Sequence, residues 1–86
     1  PTGDAAQQRR LKKEREAEER RRARLSEKLE TEISELENQI SELEQNLCKP
    51  ENMSDYELLA RLGAEREETE KRLAEAYDEW AKVQEA

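Results

Sequence analysis

Nine cations crowd one short stretch of the chain: Arg9, Arg10, Lys12, Lys13, Arg15, Arg20, Arg21, Arg22 and Arg24. Arginine at this density suits phosphate, because its planar fork donates paired hydrogen bonds to phosphate oxygens. Neutralising several phosphates releases their counterions, and the resulting affinity falls with salt. The densest run is Arg20-Arg21-Arg22 with Arg24. Glu14, Glu16, Glu18 and Glu19 are interleaved with the other cations, so a solvated helix laced with ion pairs is a second reading of the same residues. No aromatic stands among the arginines. Stacking on bases is therefore unsupported, and contact would be directed at the backbone with weak sequence specificity.

The remaining side chains exclude most catalytic chemistry. The 86 residues include no histidine, so there is no His-based triad, no His general base and no His metal ligand. Cys48 is the single cysteine. It forms no internal disulfide and builds no zinc site alone, and Lys49 is the one neighbouring cation that would activate it. Gly3 and Gly63 are isolated and cradle no phosphate. Exposed Glu pairs without an apolar pocket are no acid–base machine. The expectation is a binding or structural module, not an enzyme, with no metal and no cofactor of its own. Lack of a disulfide framework fits a reducing, cytoplasmic compartment. A mean hydropathy of −1.35 leaves no segment fit to cross a bilayer, and no apolar signal region opens the chain.

The elements that must position these residues follow from composition. Charged residues make up 45% and aromatics 3%, which argues against a rounded core and for long helices. The net charge of −7 hides an asymmetry: residues 1–24 carry nine basic and five acidic residues, residues 25–86 seven and eighteen. One end attracts polyanions and the other repels them. Residues 1–6 read as a flexible start with Asp4 as a helix N-cap. Residues 7–24 have high helix propensity but only Leu11 as a large apolar residue. They read as a basic helical extension. Carried backwards, the heptad puts Lys12, Arg15, Glu19, Arg22 and Ser26 on a seam that can bury nothing.

From Leu29 a regular repeat begins: Leu29, Ile33, Leu36, Ile40, Leu43 and Leu47, the narrow a/d stripe of a two-helix coiled coil. Pro50 ends that helix, and the loop is placed at about 48–53. Ser54 with Glu57 matches a capping box, with Met53 and Leu58 as its hydrophobic staple. The second seam reads Leu59, Leu62, Arg66, Thr69, Leu73, Ala76, Trp80 and Val83. So short a loop suits an antiparallel hairpin. Facing residues are expected to have numbers summing near 106, which sets Trp80 against Leu25 and Ser26, the small serine making room for the indole. Arg66 and Thr69 make the middle the weakest packing.

The stretch from about Leu25 to Ala86 resembles the C-terminal domain of ABC-F ATPases, the Uup-type coiled-coil extension. Two features carry the resemblance. One is the tip, Leu47-Cys48-Lys49-Pro50-Glu51. The other is the closing run Leu73-Ala74-Glu75-Ala76-Tyr77-Asp78-Glu79-Trp80. The arginine-rich residues 8–24 look like the linker that joins the second ATPase cassette to this domain in the same family. The resemblance implies a cytosolic parent ATPase that acts on the ribosome, in translation or in antibiotic resistance, with a C-terminal hairpin associated with nucleic-acid binding. ATP and Mg²⁺ belong to that parent only. No phosphate loop, signature sequence or catalytic Glu of a cassette is present in this chain.

The resulting expectation is an all-α antiparallel coiled-coil hairpin (residues 25–86) behind a basic extension (residues 1–24). The hairpin is expected to be monomeric, with a dimer as the rival. Its function would be to bind DNA, rRNA or tRNA through the nine cations, with Lys49 at the tip as a weak further contact. Two alternatives stay open: a purely structural or protein–protein arm, and an arm that regulates the parent ATPase. A membrane role is not expected, because the basic segment has almost no apolar face. Tyr77 and Trp80 are expected in the core, and Cys48 as a half-buried residue of the helix reversal.

Overall fold

The computed structural model describes residues 2–86. Helix α1 spans Thr2–Leu47, a 3-10 turn covers Pro50–Asn52, and helix α2 spans Tyr56–Glu85. The two helices pack against each other as an antiparallel hairpin, 79 Å long and about 15 Å thick. The fold is all-α, with no strand among the described residues.

Helix α1 is 46 residues long and runs unbroken through the basic extension into the hairpin. The flexible start expected for residues 1–6 is therefore replaced by helix from Thr2 onward; Pro1 lies outside the described residues. Asp4 sits in the first turn and is not the cap. There its carboxylate faces the positive end of the helix dipole, and Ala5, Ala6, Gln7 and Gln8 propagate the turn.

The two seams are the buried face. Leu29, Ile33 and Leu36 from α1 and Leu62, Thr69 and Ala76 from α2 are buried. Ile40, Leu43, Leu47, Leu59, Leu73, Trp80 and Val83 are half-buried. The tightest cluster is Ile33, Leu36 and Ala76, with Leu73 and Trp80 packed on it. Among the described residues Thr69 is the one buried polar residue; its hydroxyl donates to the Glu65 carbonyl one turn back, at 2.7 Å. Arg66 keeps its head at the edge and bridges Glu44 at 2.9 Å and Glu70 at 3.1 Å.

The register differs from the expected one. Arg66 with Glu44, Gln84 with Ser26 and Trp80 with Glu30 all have residue numbers summing to 110, not 106. Trp80 therefore points its indole N–H at Glu30, not at Ser26. Ser26 instead accepts a hydrogen bond from Gln84, at 2.6 Å. Leu25 remains exposed. The connection is also longer than expected, its non-α-helical residues running from Cys48 to Asp55. The turn at Pro50–Asn52 and its extension through Ser54 delay the start of α2 to Tyr56.

That connection is internally satisfied. Asn52 donates its side-chain amide to the Asn46 carbonyl at 2.8 Å, closing one of the open carbonyls at the end of α1. Backbone amides of Asn52, Met53 and Asp55 find carbonyls three residues back. The cap of α2 is Asp55, not Ser54: its Oδ1 accepts from the Leu58 amide at 3.1 Å. A one-residue shift moves Leu58, not Glu57, into the third helical position, so the Ser54/Glu57 box does not form. Met53 is 52% exposed and staples nothing. Cys48 is exposed as well, not half-buried.

Candidate nucleic-acid interface

Helix α2 ends before α1 does. The C-cap of α2, Ala86, meets Arg22, and residues Glu18, Arg21 and Arg22 line the cleft beside it. Farther toward the N-terminus α1 stands alone, and Gly3–Glu16 are exposed throughout. A helix rises 1.5 Å per residue, so this overhang is roughly 25 Å long. The register of 110 sets Gln84 to Ala86 level with residues 24–26 of α1.

All nine predicted cations lie on or next to this overhang, but not on one face. At 100° per residue, Arg9, Arg10, Lys13, Arg20, Arg21 and Arg24 fall within an arc of about 120°. Ala6 and Ala17 fill that arc, and no carboxylate between residues 5 and 26 enters it. Glu14 and Glu16 stand at its two edges. The centre of the arc points away from the seam of Leu29, Ile33 and Leu36, while Arg21 at its edge borders the cleft beside Ala86. Lys12, Arg15 and Arg22 lie on the other side, among Asp4, Leu11, Glu18 and Glu19.

Arg22 has a separate task. It is half-buried, and its Nη1 donates to the Ala86 carbonyl. The last carbonyls of a helix lack internal partners and carry its negative dipole end, so a guanidinium there is stabilising. Arg22 thus clasps α2 to α1, and the dense run Arg20–Arg24 is split: Arg20 and Arg24 face outward, Arg22 inward, and Arg21 lines the cleft beside Ala86.

The other candidates do not join the cluster. Lys49 sits at the far tip, separated from Arg24 by about 35 Å of helix. Tyr77 is also largely exposed, outside the core, and its phenol donates to Glu37 at 2.7 Å. Among the described residues there is no group of His, Cys, Asp or Glu able to hold a metal, and no helix long and apolar enough to cross a membrane.

The separation into two faces was open to reading in the sequence. Ala6, Arg9, Lys13, Ala17, Arg20 and Arg24 repeat at steps of three and four, as an apolar stripe would, with Arg10 and Arg21 each one place past a member of the stripe. The contact of Arg22 with Ala86 had no such signal, since it depends on the register of the two helices.

Residues 6–85 match the family described as the ABC transporter C-terminal domain. No curated protein matches the chain, and no solved structure does.

Proposed function

The chain belongs to the ABC transporter C-terminal domain family, and from that membership we propose that it is the nucleic-acid-binding module of an ABC-F-type ATPase working at the ribosome in the cytoplasm. The parent would hydrolyse ATP with its own cassettes, Mg²⁺ and nucleotide. This module adds no catalysis and holds no cofactor. It acts as a rigid arm whose basic overhang binds rRNA, tRNA or DNA by neutralising phosphates.

The observation that supports this most is the cationic arc of the overhang. Six cations share one face of α1 with no carboxylate among them, and Arg9, Arg10 and Lys13 lie in its fully exposed stretch from Gly3 to Glu16. A salt-bridged surface helix alternates its charges around each turn, and this face does not. The hairpin body carries the opposite sign and turns polyanions away.

The test is a titration of labelled RNA and DNA with the full chain and with residues 25–86, at two salt concentrations. The full chain is expected to bind with an affinity that drops steeply with salt, and the truncated chain to bind weakly or not at all. Lack of binding by either at low salt would remove this function. It would favour instead a protein-contact arm, for which the 78% exposed Tyr56 and the exposed Met53 at the tip are the natural contact points.

A further inference from the structure

Two a/d stripes mesh in more than one register, because a slide of half a heptad brings seam back onto seam. We propose that the hairpin has two such registers, and that α2 slides along α1 between them. The slide is half a heptad, about 5 Å at 1.5 Å per residue. In the register described above α2 stands nearer the tip; in the second it has moved toward the open end, beside the overhang. The switch lies in the body of the hairpin and does not depend on what the overhang binds.

The seams mark both positions and the direction of travel. Ile33 is now level with Ala76 and Leu36 with Leu73, and these four make up the cluster on which Trp80 packs. Half a heptad on, Ile33 meets Leu73, Leu43 meets Leu62, and Trp80 reaches the small Ser26. The tip supplies the gain. Helix α1 ends at Leu47, level with Leu62, so Tyr56–Arg61 stand about 9 Å past it. There Tyr56 is 78% exposed, and Leu59 is only half-buried. The slide sets Leu59 against Leu47. A slide the other way would carry Leu62 past the end of α1 and uncover it. The connection allows the first movement. Residues Cys48–Asp55 now climb those 9 Å or so, and would climb about 4 Å afterwards, well within their reach.

Nothing polar inside the seam pins the register. A buried polar residue fixes register when its partner lies across the seam. Thr69 instead donates to the Glu65 carbonyl of its own helix, and Arg66 holds Glu70, also in α2. Both bonds travel with α2. The contacts that must break are Arg66 with Glu44, Tyr77 with Glu37, Trp80 with Glu30, Gln84 with Ser26, and Arg22 with Ala86. The side chains in them are exposed or half-buried, where water competes for each contact. Ratchets of one packed element past another by about a turn are a means of switching. A contact at the open end that prefers one register therefore shifts Tyr56, at the far tip, by about 5 Å along α1.

Cysteine pairs separate the registers. In a Cys48→Ser background of the full chain, Thr69→Cys is combined with one of three partners. Ile40→Cys faces it now, Leu36→Cys faces it after the slide, and Leu43→Cys would face it only after a slide toward the tip. Circular dichroism verifies the helix, and disulfide formation with diamide is followed on non-reducing gels. The Ile40 pair is expected to close fastest. The Leu36 pair is expected to close roughly 10- to 1,000-fold more slowly, as for the minor state of a two-state element. The Leu43 pair is expected to stay reduced. On closing, the Leu36 pair is expected to shift Trp80 emission to the red relative to its own reduced form, as the indole leaves its cluster for Ser26. The same comparison at Ala76→Cys, with Ile33→Cys, Leu29→Cys and Leu36→Cys in those three roles, gives the answer if cysteine at the Thr69 level unfolds the chain. A shifted-register pair that closes no faster than the control pair would leave the hairpin with one register. Equal rates for all three pairs would show fraying in place of a slide. Either result overturns the proposal.

Discussion

The phenol of Tyr77 donates a 2.7 Å hydrogen bond to Glu37 Oε1, joining side chains forty positions apart across the outside of the hairpin. The bond holds the proton on the phenol. That hydrogen bond, with smaller effects from partial desolvation and from repulsion by the Glu37 charge, raises the Tyr77 pKa above 10.0. The folded protein therefore favours the neutral phenol. The contribution of this contact is complete below pH 10 and is lost as pH climbs through the raised value. With Tyr56→Phe in the background, Tyr77 is the only phenol left to titrate. Its ultraviolet titration is expected above pH 10, and Glu37→Gln is expected to bring it back toward the ordinary value. A midpoint that stays put on Glu37→Gln would show that the bond does not persist in solution.

The cap of α2 supplies a second expectation. Asp55 accepts the Leu58 amide and Ser54 does not. Asp55→Ala removes that acceptor and is expected to cost about 1 kcal/mol. Ser54→Ala is expected to change stability by less than about 0.5 kcal/mol, as surface substitutions do. Urea denaturation of the two variants checks the order. The reverse order would restore the Ser54/Glu57 capping box read from the sequence.

Trp80 is half-buried against the cluster of Ile33, Leu36 and Ala76. A fully buried aromatic costs roughly 3–5 kcal/mol on truncation to alanine. Part of the indole stays in water here, so Trp80→Ala is expected to cost roughly 2 kcal/mol. The same placement makes Trp80, the only tryptophan, a direct reporter of the hairpin. Its emission should shift to the red in the same transition that melts the helix signal. Glu30→Ala, which removes only a 3.4 Å contact to the indole nitrogen, should leave that transition within about 0.5 kcal/mol.

Both helices and both seams were legible in the sequence, because a/d spacing is a property of each helix alone. Every seam residue from Leu29 to Leu47 and from Leu59 to Val83 is buried or half-buried. What the spacing did not carry was the relation between the helices. The pairs Arg66–Glu44, Gln84–Ser26 and Trp80–Glu30 sum to 110, four more than the spacing of the seams suggested. Trp80 therefore met Glu30 where Ser26 was expected. The residues of the candidate interface were thus readable from composition. Their division between an outward stripe and the Arg22 clasp needed the position of Ala86.

Gly63 offers the most direct way to stiffen the hairpin. It lies inside α2 with ordinary helical backbone, and a Cβ built on it would meet no atom within 4 Å. Glycine there lowers helix stability with no close packing or special backbone angle in return. It also adjoins the stretch where Arg66 and Thr69 replace apolar seam residues, so the loss falls where packing is already thin. Gly63→Ala is expected to add about 1 kcal/mol. In a domain of this size that raises the melting midpoint by roughly 4–8 °C. Amide exchange should slow most in the turns around Arg66 and Thr69, since local opening there no longer gains the freedom of a glycine. Gly63→Pro should do the opposite, removing a helical hydrogen bond and costing about 3 kcal/mol or more. If alanine instead lowered the midpoint, Gly63 would be making a close approach that the described helices do not contain, and the middle of the hairpin would have to pack differently from the register fixed by Arg66 and Glu44.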